Sequence, residues 1–127
     1  MIIDKKLEFA NKQKVTAAAA GSYVADLVKG GDAVGEELTL HVICTETATG
    51  TGSPTLTVKL QTSDDEAFGT PTDLVLSGAI PLADLKAGRT VFKVRVPSGA
   101  KRYMRVYFAP SAALTGGAFS AFATSEL

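Results

Sequence analysis

The stretch Thr55 to Pro71, TLTVKLQTSDDEAFGTP, constrains this chain more than any other. Leu56, Val58 and Leu60 alternate with Thr57, Lys59 and Gln61, the period of two that a half-buried strand requires. Ser63-Asp64-Asp65-Glu66 then ends the strand, because Ser and Asp side chains bond to nearby backbone and favour turns. Phe68 gives the turn an apolar anchor, and Gly69 and Pro71 punctuate its exit. A strand with one apolar face is stable only against a second layer, so other segments must supply neighbours and a lid.

The rest of the chain offers several such segments. Leu38, Leu40, Val42 and Cys44 share one face of a strand over 38–45, with Thr39, His41, Ile43 and Thr45 on the other. The Thr/Gly/Ser run 47–54 reads as a flexible loop, and the two strands it joins are expected to form an antiparallel pair. Residues 73–77 form a short strand, and 82–86 one helical turn ended by Gly88. In 90–96, Phe92, Val94 and Val96 face one way. In 101–109, Arg102, Met104, Val106 and Phe108 oppose Tyr103, Arg105 and Tyr107. Pro97-Ser98-Gly99 is a turn signal that makes these last two a hairpin-type pair. A loop over 110–117 precedes a final strand over 118–123.

Near the start, Ala17 to Ala20 favour a helix. A lone helix that short is marginal in water, so strand or coil is an equal reading. Leu7 and Phe9 alternate with Glu8 and Ala10, so residues 1–15 read as a short strand or an N-terminal arm, whose Ile2, Ile3, Leu7 and Phe9 fold back on the core or dock on a neighbouring molecule. Short strands, Gly/Pro/Ser turns and no long helix give a single all-β domain over 1–127, a sandwich or barrel of seven or eight strands.

Composition narrows function by exclusion. Thirteen Lys+Arg balance thirteen Asp+Glu, so no net field favours nucleic acid or an anionic membrane. No run of about 18 apolar residues is present to span a bilayer, and the opening residues lack a signal-peptide core. The single Cys44 excludes an internal disulfide framework and, in an apolar strand, reads as a buried small hydrophobe made in a reducing cytosol.

No catalytic constellation emerges. His41 is the only histidine, so neither a zinc site nor a Ser-His-Asp grouping can be argued. Gly30-Gly31 and Gly116-Gly117 lack the helix and lysine of a phosphate loop. Asp64-Asp65-Glu66 is the best candidate for an ion, yet adjacent acids point different ways, and a solvated turn with backbone caps is the better reading. Lys101, Arg102 and Arg105, with Lys93 and Arg95 expected nearby across the hairpin, form a small cationic patch. Its Arg and Tyr content suits a protein interface.

Four segments carry a resemblance: Met1 to Phe9 (MIIDKKLEF), Gly35 to Leu38, Leu60 to Phe68, and Val94 to Pro97 together with Lys101 to Val106. In this order they resemble the small capsid cement, or decoration, proteins of tailed bacteriophages. The resemblance implies a jelly-roll-like β-sandwich of about eight short antiparallel strands. It implies a virion structural protein with no enzymatic activity and no cofactor or metal, sitting on the outer capsid surface as a homodimer or homotrimer and bridging major capsid protein subunits. The candidate contact residues, for capsid or a second copy, are Ile2, Ile3, Leu7, Phe9, Arg102, Tyr103 and Arg105. A carbohydrate- or receptor-binding β-sandwich, its acidic turn holding calcium, is the alternative.

Overall fold

Two antiparallel sheets hold most of the residues that the computed structural model describes, which are 8–21, 23–26, 38–65, 67–69, 71–96 and 103–125. The strands are β1 (Glu8–Lys14), β2 (Ala19–Ala20), β3 (Ala25–Asp26), β4 (Leu38–Gly50), β5 (Thr55–Ser63), β6 (Thr72–Leu76), β7 (Ile80–Pro81), β8 (Thr90–Arg95), β9 (Tyr103–Pro110) and β10 (Leu114–Ser125). One sheet has the order β1-β10-β4-β8. The other runs β2-β9-β5-β6, with β3 also on β9 and β7 also on β5.

Because β2 and β3 lie along one neighbour and β6 and β7 along another, the ten strands act as eight. Their pairing is concentric: β1 with β10, β2/β3 with β9, β4 with β8, and β5 with β6/β7. One long hairpin is thus rolled over on itself, the jelly-roll form of a β-sandwich.

That topology corrects two expected pairings. The strands at 38 and 56 do not pair: β4 hydrogen-bonds to β10 and β8, and β5 to β9, β6 and β7. Nor do β8 and β9 form a hairpin, since β8 pairs with β4 and β9 with β5. Rolling the long hairpin sends these consecutive strands to opposite sheets. Among the described residues, only the acidic turn between β5 and β6 closes a local hairpin, with Thr62 opposite Thr72. Two expected loops are also shorter than read. β4 runs on to Gly50 and β10 begins at Leu114, and these ends pair with each other. The four-alanine run ends as strand, Ala19–Ala20, and the helical turn is a single 3-10 turn over Leu82–Asp84.

At the start of the chain the short-strand alternative holds from Glu8 onward. Residues 1–7 lie outside the described region, but β1 pairs with β10 as an integral edge strand, and Phe9 is completely buried. Apolar side chains facing inward from both sheets form one core. Leu40, Val42, Cys44, Phe119 and Ala121 come from the first sheet, and Leu56, Val58, Leu60, Met104, Val106 and Phe108 from the second. Phe108 and Phe119 stack across the gap with centroids 5.6 Å apart. Each such large side chain contributes about 1.5–3 kcal/mol by leaving water.

The sandwich has two unlike flanks. On one, the chain after β2 crosses between sheets: the Gly21 amide donates to Val106 O at 2.6 Å and the Tyr23 amide to Phe9 O at 3.1 Å. Only glycine fits at 21, because a Cβ there would collide with the Phe9 carbonyl. On the other flank, β8 edges the first sheet and β6–β7 the second. There the half-buried Leu74, Val75, Ile80, Val91, Phe92 and Val94 pack against the core without sealing it.

Candidate functional site

The strongest grouping of chemistry-bearing side chains stands on the outer face of the six-stranded sheet. Alternation along β5 turns Leu56, Val58 and Leu60 inward, which leaves Lys59 and Gln61 outward. Register then decides the neighbours. Tyr103, Arg105 and Tyr107 of β9 lie opposite Ser63, Gln61 and Lys59, while Asp73 and Leu76 of β6 lie opposite Gln61 and Lys59 from the other side.

Arg105 is the centre of this face. Its Nε donates to Gln61 Oε1 at 2.9 Å, and the Gln61 amide nitrogen donates to Asp73 Oδ1 at 2.9 Å. A cation on β9 is therefore tied to a carboxylate on β6 through one amide on β5. Its guanidinium also lies 4.3 Å from the Phe68 ring centroid and 5.5 Å from that of Tyr107, within the range of cation–π attraction.

Phe68 reaches Arg105 because the acidic turn folds back over the sheet. Ser63 Oγ accepts from the Asp65 amide, and Asp65 accepts from the amides of Ala67 through Oδ1, Gly69 through Oδ2 and Phe68 through its backbone oxygen. Phe68 adopts φ +52°, a left-handed conformation uncommon for a bulky residue. The turn's hydrogen bonds and the contact with Arg105 hold it there. Asp65 thus serves the turn's own backbone, as the solvated-turn reading expects. Glu66 lies outside the described residues.

The predicted contact residues scatter. Ile2, Ile3, Leu7 and Arg102 lie outside the described residues, as does Lys101. Phe9 belongs to the core, so it is not a surface contact. Tyr103 is buried, with its carbonyl accepting from Thr62 Oγ1 at 2.8 Å. Arg105 alone of the described candidates stands half-exposed at the centre of a surface. Lys93 and Arg95 belong to the other sheet, opposite His41 and Thr39, so the expected single cationic patch is split between two faces. Phe68, Gln61, Asp73 and Tyr107 complete the site. Their residue types carry no joint signal in sequence, since the β5–β9 register is what assembles them.

Elsewhere the chemistry is muted. His41 is buried and stacks on Phe122 with centroids 5.2 Å apart. Cys44 is buried in the core, where desolvation pushes its thiol up despite backbone hydrogen bonds at Glu46 and Ala48 that pull the other way. No cluster of three or more His, Cys, Asp or Glu gathers among the described residues. A cleft of about 500 Å³ opens at the end of the sandwich, lined by Thr47, Ala48, Ser53, Thr55, Pro81 and Lys86 among others. Among the described residues no helix is long and apolar enough to cross a membrane.

The Bbp16 family model matches residues 9–123. The chain belongs to the Bbp16 family. The family's name is suggestive of a phage-related protein. Among curated proteins none matches this chain. The Bbp16 match begins at Phe9 and ends at Ala123, the first fully buried residue of β1 and the last core residue of β10. What it covers is therefore nearly all of the sandwich, including the whole Arg105 face, and what it leaves aside is residues 1–8 and 124–127.

Proposed function

We propose that this Bbp16 family member is a capsid cement protein, a β-sandwich that binds the outside of a phage head and bridges major capsid protein subunits. The observation that carries the reading is the Arg105 face. A half-exposed guanidinium packed on the buried Phe68 ring, the half-exposed Tyr107 and Lys59 and an exposed Leu76 are presented on one sheet face, with the residue types that dominate protein interfaces. A clip that binds only the assembled shell stabilises it by mass action, and many weakly bound copies on one head gain from avidity. The apolar residues Ile2, Ile3 and Leu7, which precede β1 in sequence, can add contact area.

The test is binding to purified heads that lack the protein. Bound copies should raise the temperature at which heads release DNA, and Tyr107→Ala with Leu76→Ala should lower occupancy while the sandwich remains folded. Deleting residues 1–7 should also weaken attachment. The deletion must stop short of Phe9, which the core needs. Failure of the intact protein to bind any head would overturn the reading. A glycan-array signal abolished by a chelator would favour the carbohydrate-binding alternative, which requires an ion at a turn where Asp65 already serves three amides.

A further inference from the structure

Arg105 is held by the protein without being neutralised by it. Its Nε donates to Gln61 Oε1, and the Gln61 amide nitrogen donates to Asp73 Oδ1, each at 2.9 Å. A guanidinium only donates and a carboxylate only accepts, so the Gln61 amide fits only this way round. Gln61 is itself buried, which fixes the relay. The guanidinium carbon lies 4.3 Å from the Phe68 ring centroid and 5.5 Å from that of Tyr107. Among the described residues no acceptor meets its two Nη groups, and no carboxylate pairs with it directly. The acid in its own row, Asp73, reaches it only through the neutral amide. A carboxylate at position 61 would hold the guanidinium as firmly but would also cancel its charge.

We infer that Arg105 determines the specificity of this face and takes the carboxylate of an Asp or Glu on a partner protein, through its two Nη groups, with an apolar neighbour of that acid packed on Tyr107 and Leu76. The planar fork of a guanidinium matches a carboxylate in a bidentate pair. Ordering a long side chain costs conformational entropy. Gln61 and the Phe68 ring have already ordered this one, so the partner meets a prepared donor. Tyr107, Lys59 and Leu76 form the next row across β9, β5 and β6. Tyr107 and Lys59 are half-exposed and Leu76 is exposed, so apolar area adjoins the fork. Lys59 lies diagonal to Arg105, about 7 Å away, and adds positive field there. The surroundings select one carboxylate over a chain of phosphates. Asp64 and Asp65 are exposed on the turn that carries Phe68, and Asp73 is exposed on the β6 side, so a polyanion laid across the face meets like charge.

This inference rests on the reading of the Arg105 face as an interface and names the chemistry that face selects. Gln61→Glu with Asp73→Asn exchanges acid and amide between neighbouring strands. Both changes are isosteric and leave the net charge the same, and the relay of hydrogen bonds persists with the guanidinium now paired inside the molecule. This double variant should keep the native urea midpoint, while its affinity for heads that lack the protein should fall about tenfold or more. Arg105→Lys, which keeps the charge and loses the fork, should lose a similar factor. Without heads, N-acetyl-Glu-Ala-Leu amide should shift the Arg105 Nε–H NMR resonance of the isotopically labelled protein. N-acetyl-Gln-Ala-Leu amide should leave it in place, and the double variant should respond to neither. Native head affinity in the double variant, an equal response to the two peptides, or an equal or larger response to methyl phosphate would each overturn the inference. If the protein binds no head while the resonance still follows the acidic peptide, the capsid reading falls and this inference stands.

Discussion

The two flanks of the sandwich are finished by different physics. One is sealed from within: backbone amides of Gly21 and Tyr23 cross between sheets, and Phe9 and Val15 are buried beneath them. The other keeps a row of half-buried aliphatic and aromatic side chains between oppositely charged margins. A flank closed by cross-sheet backbone hydrogen bonds over a fully buried Phe9 ring stabilises the monomer, while Tyr23 and Val24 stay exposed on it. A flank closed only by half-buried side chains stabilises the monomer less and retains apolar area that association can bury.

The comparison breaks first at Phe9. Phe9→Ala should cost about 3–5 kcal/mol, seen as a large fall in the urea midpoint. A loss near that of an exposed residue would mean that the sealed flank does not hold the sheets together. Gly21→Val should cost about 1–3 kcal/mol, because the new side chain must displace the Phe9 carbonyl or the chain itself. On the open flank, Val94→Ala should cost about 1 kcal/mol in dilute protein, since the side chain is only half-buried there. A cost as large as that of Phe9→Ala would remove the distinction between the flanks.

The smallest effect is at Cys44, in the core between the flanks. Its native thiol should resist alkylation and react fully once the protein is unfolded in urea. Burial raises its folded pKa above the unfolded value. The folded state therefore holds the proton longer, and stability should decline only as pH climbs past the range where an unfolded thiol ionises, about 8.5. Rapid alkylation of folded protein would place Cys44 nearer solvent than the packing allows.

Alternation alone located β4, β5, β8, β9 and the inward set of each. Leu40, Val42, Leu56, Val58, Leu60, Met104, Val106 and Phe108 are all core. The turn at Ser63–Gly69 was equally legible, because its Ser and Asp residues bond to their own backbone whatever lies nearby. At Phe9 the alternation with Glu8 and Ala10 leaves strand and arm as alternatives, and the structure takes the strand. The pattern does not decide between them because β1 makes register shifts against β10, and Lys12 sits at φ +48° within it. Irregular pairing blurs the pattern from which a strand is recognised.

What the amino-acid order settled by itself was local: which residues face in, where strands stop, and that a two-layer β fold must bury the result. Those features depend on side-chain polarity and on hydrogen bonds a few residues apart. Which strand lies beside which was decided only in three dimensions. β4 and β5 part company after a short loop, β9 brings Arg105 against Gln61 from 44 positions away, and Lys93 and Arg95 end on the opposite sheet. Long-range register is chosen by how two whole sheets close over one core, and no single segment contains that information.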